Sequence, residues 1–150
     1  MSSNLKPVTP IIVAHLIKSN EKFRLLEADS QEAVSASEWL ENNFPIASWG
    51  RIAWEQVPDS SCTTLTDFSE LPLAFKRIVL ENELNGDVTV LWTNALKSPL
   101  ELDLAVVLRY SSLFFEEDWD TWIYSNKGRW CIEVFHDGDM CFGQACISDP

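Results

Sequence analysis

Glycine and histidine are both scarce, with five and two in 150 residues, and each scarcity removes a class of chemistry. There is too little glycine for a phosphate cradle: no P-loop or dinucleotide fingerprint occurs, and GxSxG and HExxH are absent too. Any histidine mechanism has to use His15 or His136. His15 lies among apolar residues of a predicted helix, the setting of a core or boundary histidine. His136 precedes Asp137-Gly138 at a predicted hairpin end, with no nucleophile or metal partner at a fixed spacing. Glu133, His136, Asp137 and Asp139 make a poor metal set, because strand alternation places Glu133 and His136 on opposite faces. The expectation is a protein without catalytic residues, cofactor or metal. A small hydrolase built on His136 and nearby carboxylates is the minor alternative.

Positive charge is also in short supply. Eleven Lys and Arg stand against 23 Asp and Glu, a formal net charge of −12. Such a surface repels nucleic-acid phosphates and anionic membranes, and it steers basic proteins inward. Solubility alone is the plain alternative. The few basic residues form no stripe interleaved with aromatics, so no nucleic-acid platform is expected. Long apolar runs are missing: Ile11-Ile12-Val13-Ala14 is broken by His15 and Lys18, well short of the ~20 residues that span a bilayer. Met1 to Pro7 lacks the pattern of a signal peptide, and the expected location is cytoplasmic. Cys62, Cys131, Cys141 and Cys146 show no CxxC spacing and are expected as free buried thiols.

Apolar residues make up 46% of the chain, with seven Trp and eight Phe. A chain of this length buries about 68–70% of its unfolded surface and needs no staples. With no repeat, low-complexity tract or linker, residues 1–150 read as one domain.

The pattern predicts a first helix from Thr9-Pro10 to Ser19-Asn20, then a short strand or connector over Phe23 to Glu27. A second helix opens at Asp29, with Glu32 as its capping-box partner, and stops at Pro45. Trp49 to Val57 reads as a strand closed by the turn Pro58-Asp59-Ser60-Ser61. A helix follows from Ser69-Glu70-Leu71-Pro72 to Asn85-Gly86, then a buried strand over Asp87 to Thr93. Ser98-Pro99-Leu100-Glu101 has the form of a helix start, with Leu100, Leu104, Val107 and Leu108 on one face.

Thr121 to Ser125, Trp130 to His136 and Asp139 to Ile147 form a β-meander. Its second turn, Asp137-Gly138, fits a two-residue type I′ hairpin. That register would set Cys131 opposite Gln144 and Cys141 opposite Val134. The fold class is therefore α+β, a mainly antiparallel sheet with a C-terminal meander packed against three to four helices.

Four acids and four aromatics crowd into nine residues, Phe114-Phe115-Glu116-Glu117-Asp118-Trp119-Asp120-Thr121-Trp122. Carboxylates accept Arg and Lys, and Trp supplies rigid contact area. Glu116, Glu117, Asp118, Trp119 and Asp120 are the first candidates for partner contact, with Asp137 and Asp139 next. Core packing is the alternative for Phe114, Phe115 and Trp122.

The stretch Trp122-Ile123-Tyr124-Ser125, Gly128-Arg129-Trp130-Cys131-Ile132-Glu133-Val134 and His136-Asp137-Gly138-Asp139 resembles immunity proteins of contact-dependent growth inhibition and related polymorphic toxin systems. The resemblance implies a cytoplasmic inhibitor that binds the C-terminal domain of a cognate toxin. Many such domains are nucleases with basic faces, and the resemblance implies an acidic inhibitor that occupies such a face in place of the phosphate backbone, over the active site or beside it. An intracellular adaptor or regulator of SMI1/KNR4-like type is the alternative.

Overall fold

Leu71, Phe75 and Val79 recur at helical spacing, and in the computed structural model all three are buried along one stripe of a helix. The structure describes residues 6–48 and 50–147. In chain order the elements are α1 (Ile12–Lys18), β1 (Arg24–Leu25), α2 (Gln31–Asn43), β2 (Ser61–Thr64), α3 (Leu71–Glu81), β3 (Asp87–Trp92), β4 (Leu100–Asp103), α4 (Leu104–Arg109), α5 (Ser111–Glu116), β5 (Thr121–Ser125), β6 (Trp130–Val134) and β7 (Asp139–Gln144). Short 3₁₀ turns occupy Trp54–Gln56 and Phe68–Glu70.

The strands form one antiparallel sheet in the order β1-β4-β3-β5-β6-β7-β2. Alternation along each strand feeds two cores. Val88, Val90, Trp92, Leu100, Leu102, Ile123, Ile132, Val134 and Met140 point to one face, against Leu16 of α1, Phe75 of α3, Val107 of α4 and Phe114 of α5. Leu91, Tyr124, Cys131 and Cys141 point to the other, against Ala33, Ala36 and Leu40 of α2 and against Phe44, Ile52, Trp54 and Val57. Each large side chain buried in this way contributes about 1.5–3 kcal/mol. The α+β class and the antiparallel meander stand as expected.

Helix ends follow local chemistry. Asn20 takes the left-handed conformation (φ 57°), while the Glu21 N–H donates to the Leu16 carbonyl and closes α1. Glu83 does the same after α3 (φ 52°), with Leu84 N–H donating to Val79. The cap of α2 is Ser30, whose hydroxyl accepts the Ala33 N–H at 3.2 Å; Asp29, the expected cap, lies one residue too early.

Four expectations change. Residues 50–57 are not a strand; Trp49 lies outside the described residues. Ile52 makes a single bridge to Ile46 and the chain then curls into the 3₁₀ turn, because Ile52 N–H and Trp54 Nε1–H both point down to the buried carboxylate of Glu133. Ser98-Pro99-Leu100-Glu101 does not start a helix. Leu100 and Leu102 alternate inward as β4, paired with β3, and the helix begins at Leu104, capped by the Asp103 side chain through Ala105 N–H at 2.8 Å. Ser98 instead accepts the Ala28 N–H at 3.0 Å.

The third change is in the hairpin register. Cys131 faces Gly143 and Glu133 faces Cys141, one residue from the expected pairing. Asp137 keeps a negative φ and only Gly138 is left-handed (φ 98°), which forbids a type I′ turn. Phe135 N–H donates to Asp139 and Gly138 N–H to Phe135, giving a three-residue loop with glycine at its bulge. A Cβ on Gly138 would sit 2.4 Å from the Leu65 carbonyl oxygen. Fourth, Cys62 and Cys141 are cross-strand neighbours on β2 and β7 and form a disulfide. Strand β2 starts in the expected turn at 58–61 and runs on before the expected helix at Ser69, where no strand was expected. Cys131 is buried and free, and Cys146 is free but exposed.

Candidate functional site

The acids of the 116–120 segment divide by direction as the chain leaves α5 and enters β5. Glu117 turns inward, its side chain 1% exposed. Its Oε2 and Oε1 accept the Ile11 and Ile12 N–H groups at 2.9 and 2.8 Å, and Lys97 Nζ pairs with it at 2.8 Å. This carboxylate caps α1 in place of Thr9, where it meets both orphan amides and the positive end of the helix. Asp120 is buried as well. One oxygen accepts the His136 N–H at 2.8 Å and lies 3.0 Å from Nδ1 of that ring, and the other accepts the Thr93 hydroxyl at 3.3 Å. The fold itself uses the carboxylates of both Glu117 and Asp120.

What remains outside is a smaller patch. Glu116 is exposed. Asp118 holds the loop at the surface, accepting the Asn94 N–H at 2.9 Å and the Trp119 N–H at 2.8 Å. Trp119 is 68% exposed, its ring edge-on to His136 with centroids 4.9 Å apart. The Asp120 clamp thus brings the 118–120 loop against the tip of the β6–β7 hairpin, two segments that the sequence reading treated apart.

On that tip Asp137 is half-exposed, 3.6 Å from Arg51 Nη1. Asp139 is mostly covered; it accepts the Thr64 hydroxyl at 2.6 Å and lies 3.4 Å from the same guanidinium. Arg51 also stacks over Phe135, 4.4 Å from the ring centroid. Its Nε reaches Glu133 at 3.4 Å. Glu133 is fully buried and further accepts Ile52 N–H, Trp54 Nε1–H and Trp122 Nε1–H at 2.8–2.9 Å. Burial pushes its pKa up, against the pull of these donors and Arg51. Trp122 is therefore a half-buried anchor, not a surface contact. His15, expected at the core boundary, is exposed and edge-on to Tyr110.

Two further residues complete the face. Leu65 N–H donates to the Gly138 carbonyl at 2.9 Å, which carries the 65–68 segment past the hairpin tip. Between them lies a hollow of about 150 Å³, flanked by Phe68, Asp67, His136 and Asp137. Phe68 is 50% exposed. Its signal was present in the sequence: one aromatic in the polar run Thr66-Asp67-Phe68-Ser69-Glu70, where no apolar periodicity accounts for it. Among the described residues no group of His, Cys, Asp and Glu could hold a metal ion. No helix there is long and apolar enough to cross a membrane.

A family model described as CdiI immunity protein, EcoliA0-like, matches residues 17–143. The chain belongs to that family. The match runs from the end of α1 into β7 and so takes in all seven strands except the last residue of β7, Gln144. No curated protein matches the chain. As a CdiI immunity protein it is a toxin-binding protein.

Proposed function

We propose that this CdiI immunity protein neutralises a basic toxin domain, a nuclease, by one-to-one docking that occludes the toxin's substrate groove in the cytoplasm. The exposure of Trp119 between Asp118 and Asp137 carries the reading. A Trp held edge-on to a fixed imidazole is a rigid anchor that loses little entropy on binding. The carboxylates around it take the place of phosphates on a basic surface. With a net charge of −12, steering raises association toward ~10⁸–10⁹ M⁻¹s⁻¹ at low salt. The proposed contacts are Glu116, Asp118, Trp119 and Asp137, with Asp139 at the margin. Glu117 and Asp120 act indirectly, by holding the 118–120 loop in place.

Titration calorimetry against the C-terminal toxin domain encoded by the adjacent gene tests this. Tight one-to-one binding that weakens with salt is expected. Trp119→Ala should weaken it by at least about tenfold, the usual effect of truncating a hot-spot aromatic. Charge reversal of Glu116, Asp118 and Asp137 should slow association. Unchanged affinity in these folded variants would move the interface elsewhere, and no binding by the wild type would favour an adaptor role with a host partner.

A further inference from the structure

We propose that the hollow between Phe68 and the His136–Gly138 hairpin tip is a socket for one arginine side chain of the partner. The inference rests on the reading of the partner as a basic toxin domain and adds the residue type that it must present. Leu71, buried, and Leu65, half-buried, line the hollow together with the exposed Phe68, Asp67, His136 and Asp137. At about 150 Å³ the space admits a planar group the size of benzene. An apolar wall suits an aliphatic stem, and two carboxylates with an aromatic ring suit a guanidinium head.

The hairpin tip already binds one arginine in this manner. Arg51 lies over Phe135 at 4.4 Å and reaches Asp137 and Asp139 at 3.6 and 3.4 Å. The socket repeats those elements with Phe68 for Phe135 and Asp67 for Asp139. Asp137 is shared, since a carboxylate has about four acceptor sites and this one serves Asp139 N–H and a long contact to Arg51. Asp67 is held ionised: its bonds from Ser69 keep the carboxyl below its usual range. A neutral apolar side chain entering here would desolvate both carboxylates without compensation.

The test has two arms. In the first, ¹⁵N-labelled protein is titrated with a capped Gly-Arg-Gly tripeptide and with its norleucine counterpart. Saturable shifts of the Leu65, Asp67 and Gly138 amides are expected with arginine alone, and their loss in Asp67→Asn and Phe68→Ala. No shift, or an equal response to norleucine, overturns the socket. In the second arm the same two variants are titrated with the toxin domain, where each should weaken binding by at least about tenfold. If the toxin domain binds both variants like the wild type, the socket is wrong and toxin binding stands. If it does not bind the wild type, the toxin reading fails and the tripeptide arm still decides the socket. Phe68 is half-exposed and Asp67 lies at the surface, so neither change threatens the fold.

Discussion

On one face of the sheet α1, α3, α4 and α5 bury an apolar layer, whereas on the other α2, Phe44 and residues 51–57 close over a carboxylate, two indole N–H groups and an arginine. The first face needs mainly volume and spacing, its directed bond from Trp92 Nε1–H to the Phe114 carbonyl aside, so many apolar residues would serve. The second needs direction: Glu133 must meet Ile52, Trp54, Trp122 and Arg51 together, or leave buried polar groups unpaired. The candidate binding face grows from the second arrangement, because Arg51 links Glu133 to Asp137 and Asp139 at the hairpin tip. A hydrogen-bonded layer can fix where an outward side chain points, which an apolar layer does less well.

Two truncations should break the faces separately, with the largest effects. Phe75→Ala opens a cavity beside Phe115 on the apolar face, and about 3–5 kcal/mol should be lost. Glu133→Ala strands three N–H donors and leaves Arg51 with only Asp137 and Asp139, and a similar loss of about 3–5 kcal/mol is expected. Hydrogen exchange separates them: Glu133→Ala should deprotect the Ile52 amide and leave β3–β4 protected, and Phe75→Ala should not single out Ile52. Equal, global deprotection in both would dissolve the distinction between the faces.

Reducing the Cys62–Cys141 bridge, which joins residues 79 apart in sequence, should cost about 2–4 kcal/mol in urea denaturation. Exchange should rise first in edge strand β2, because only β7 pairs with it. A loss spread evenly over the sheet would argue that β2 is held by more than the bridge.

Tyr124 gives a pH signature to the hydrogen-bonded face. Burial pushes its pKa up to about 12, against about 10 in the unfolded chain. Below pH ~10 both states hold the proton and the contribution is complete. Above it the unfolded state ionises first, so stability falls until the pH passes the folded value. The two-unit gap corresponds to about 2.7 kcal/mol. Tyr124→Phe should flatten this alkaline slope in melts from pH 9 to 12, while losing about 1 kcal/mol at neutral pH with the bond to the Ala36 carbonyl. An unchanged slope would mean that the phenol is open to water.

The smallest effect is a gain. Thr121 Oγ1 is buried on the apolar face without a hydrogen-bond partner among the described residues. Thr121→Val should be neutral or add about 1 kcal/mol; a loss of that size would reveal a partner for the hydroxyl.

Much of the apolar face was legible in the sequence. Leu71, Phe75 and Val79, and Val88 to Trp92, carry their spacing openly. Leu100 misled because Leu100 to Leu104 fits a helical turn and Leu100 to Leu102 fits a strand; pairing with β3 decides between them. Residues 50–57 misled for another reason. Their apolar content suits a strand, but their amide and indole donors are claimed by a carboxylate 79–81 positions later. In the candidate site Trp119 and Asp118 were visible as local density of charge and aromatics. Phe68 and Asp67 were missed as partners of the hairpin, since the Leu65–Gly138 contact that unites them spans most of the sheet region.

The sequence by itself determined the class of molecule: an acidic α+β domain with a C-terminal meander and an aromatic-rich acidic loop. Composition and short-range period suffice for that, because they report burial residue by residue. Only the tertiary structure decided which acids face outward, where the bridge forms, and that the hairpin tip meets the loop. Glu116, Glu117, Asp118 and Asp120 have the same charge and nearly the same position in the chain. What sets Glu117 and Asp120 apart is that their carboxylates are covered where they meet the Ile11 and Ile12 amides with Lys97, and the His136 amide, whereas Asp118 holds its amides at the surface; that depends on elements brought together from distant parts of the chain.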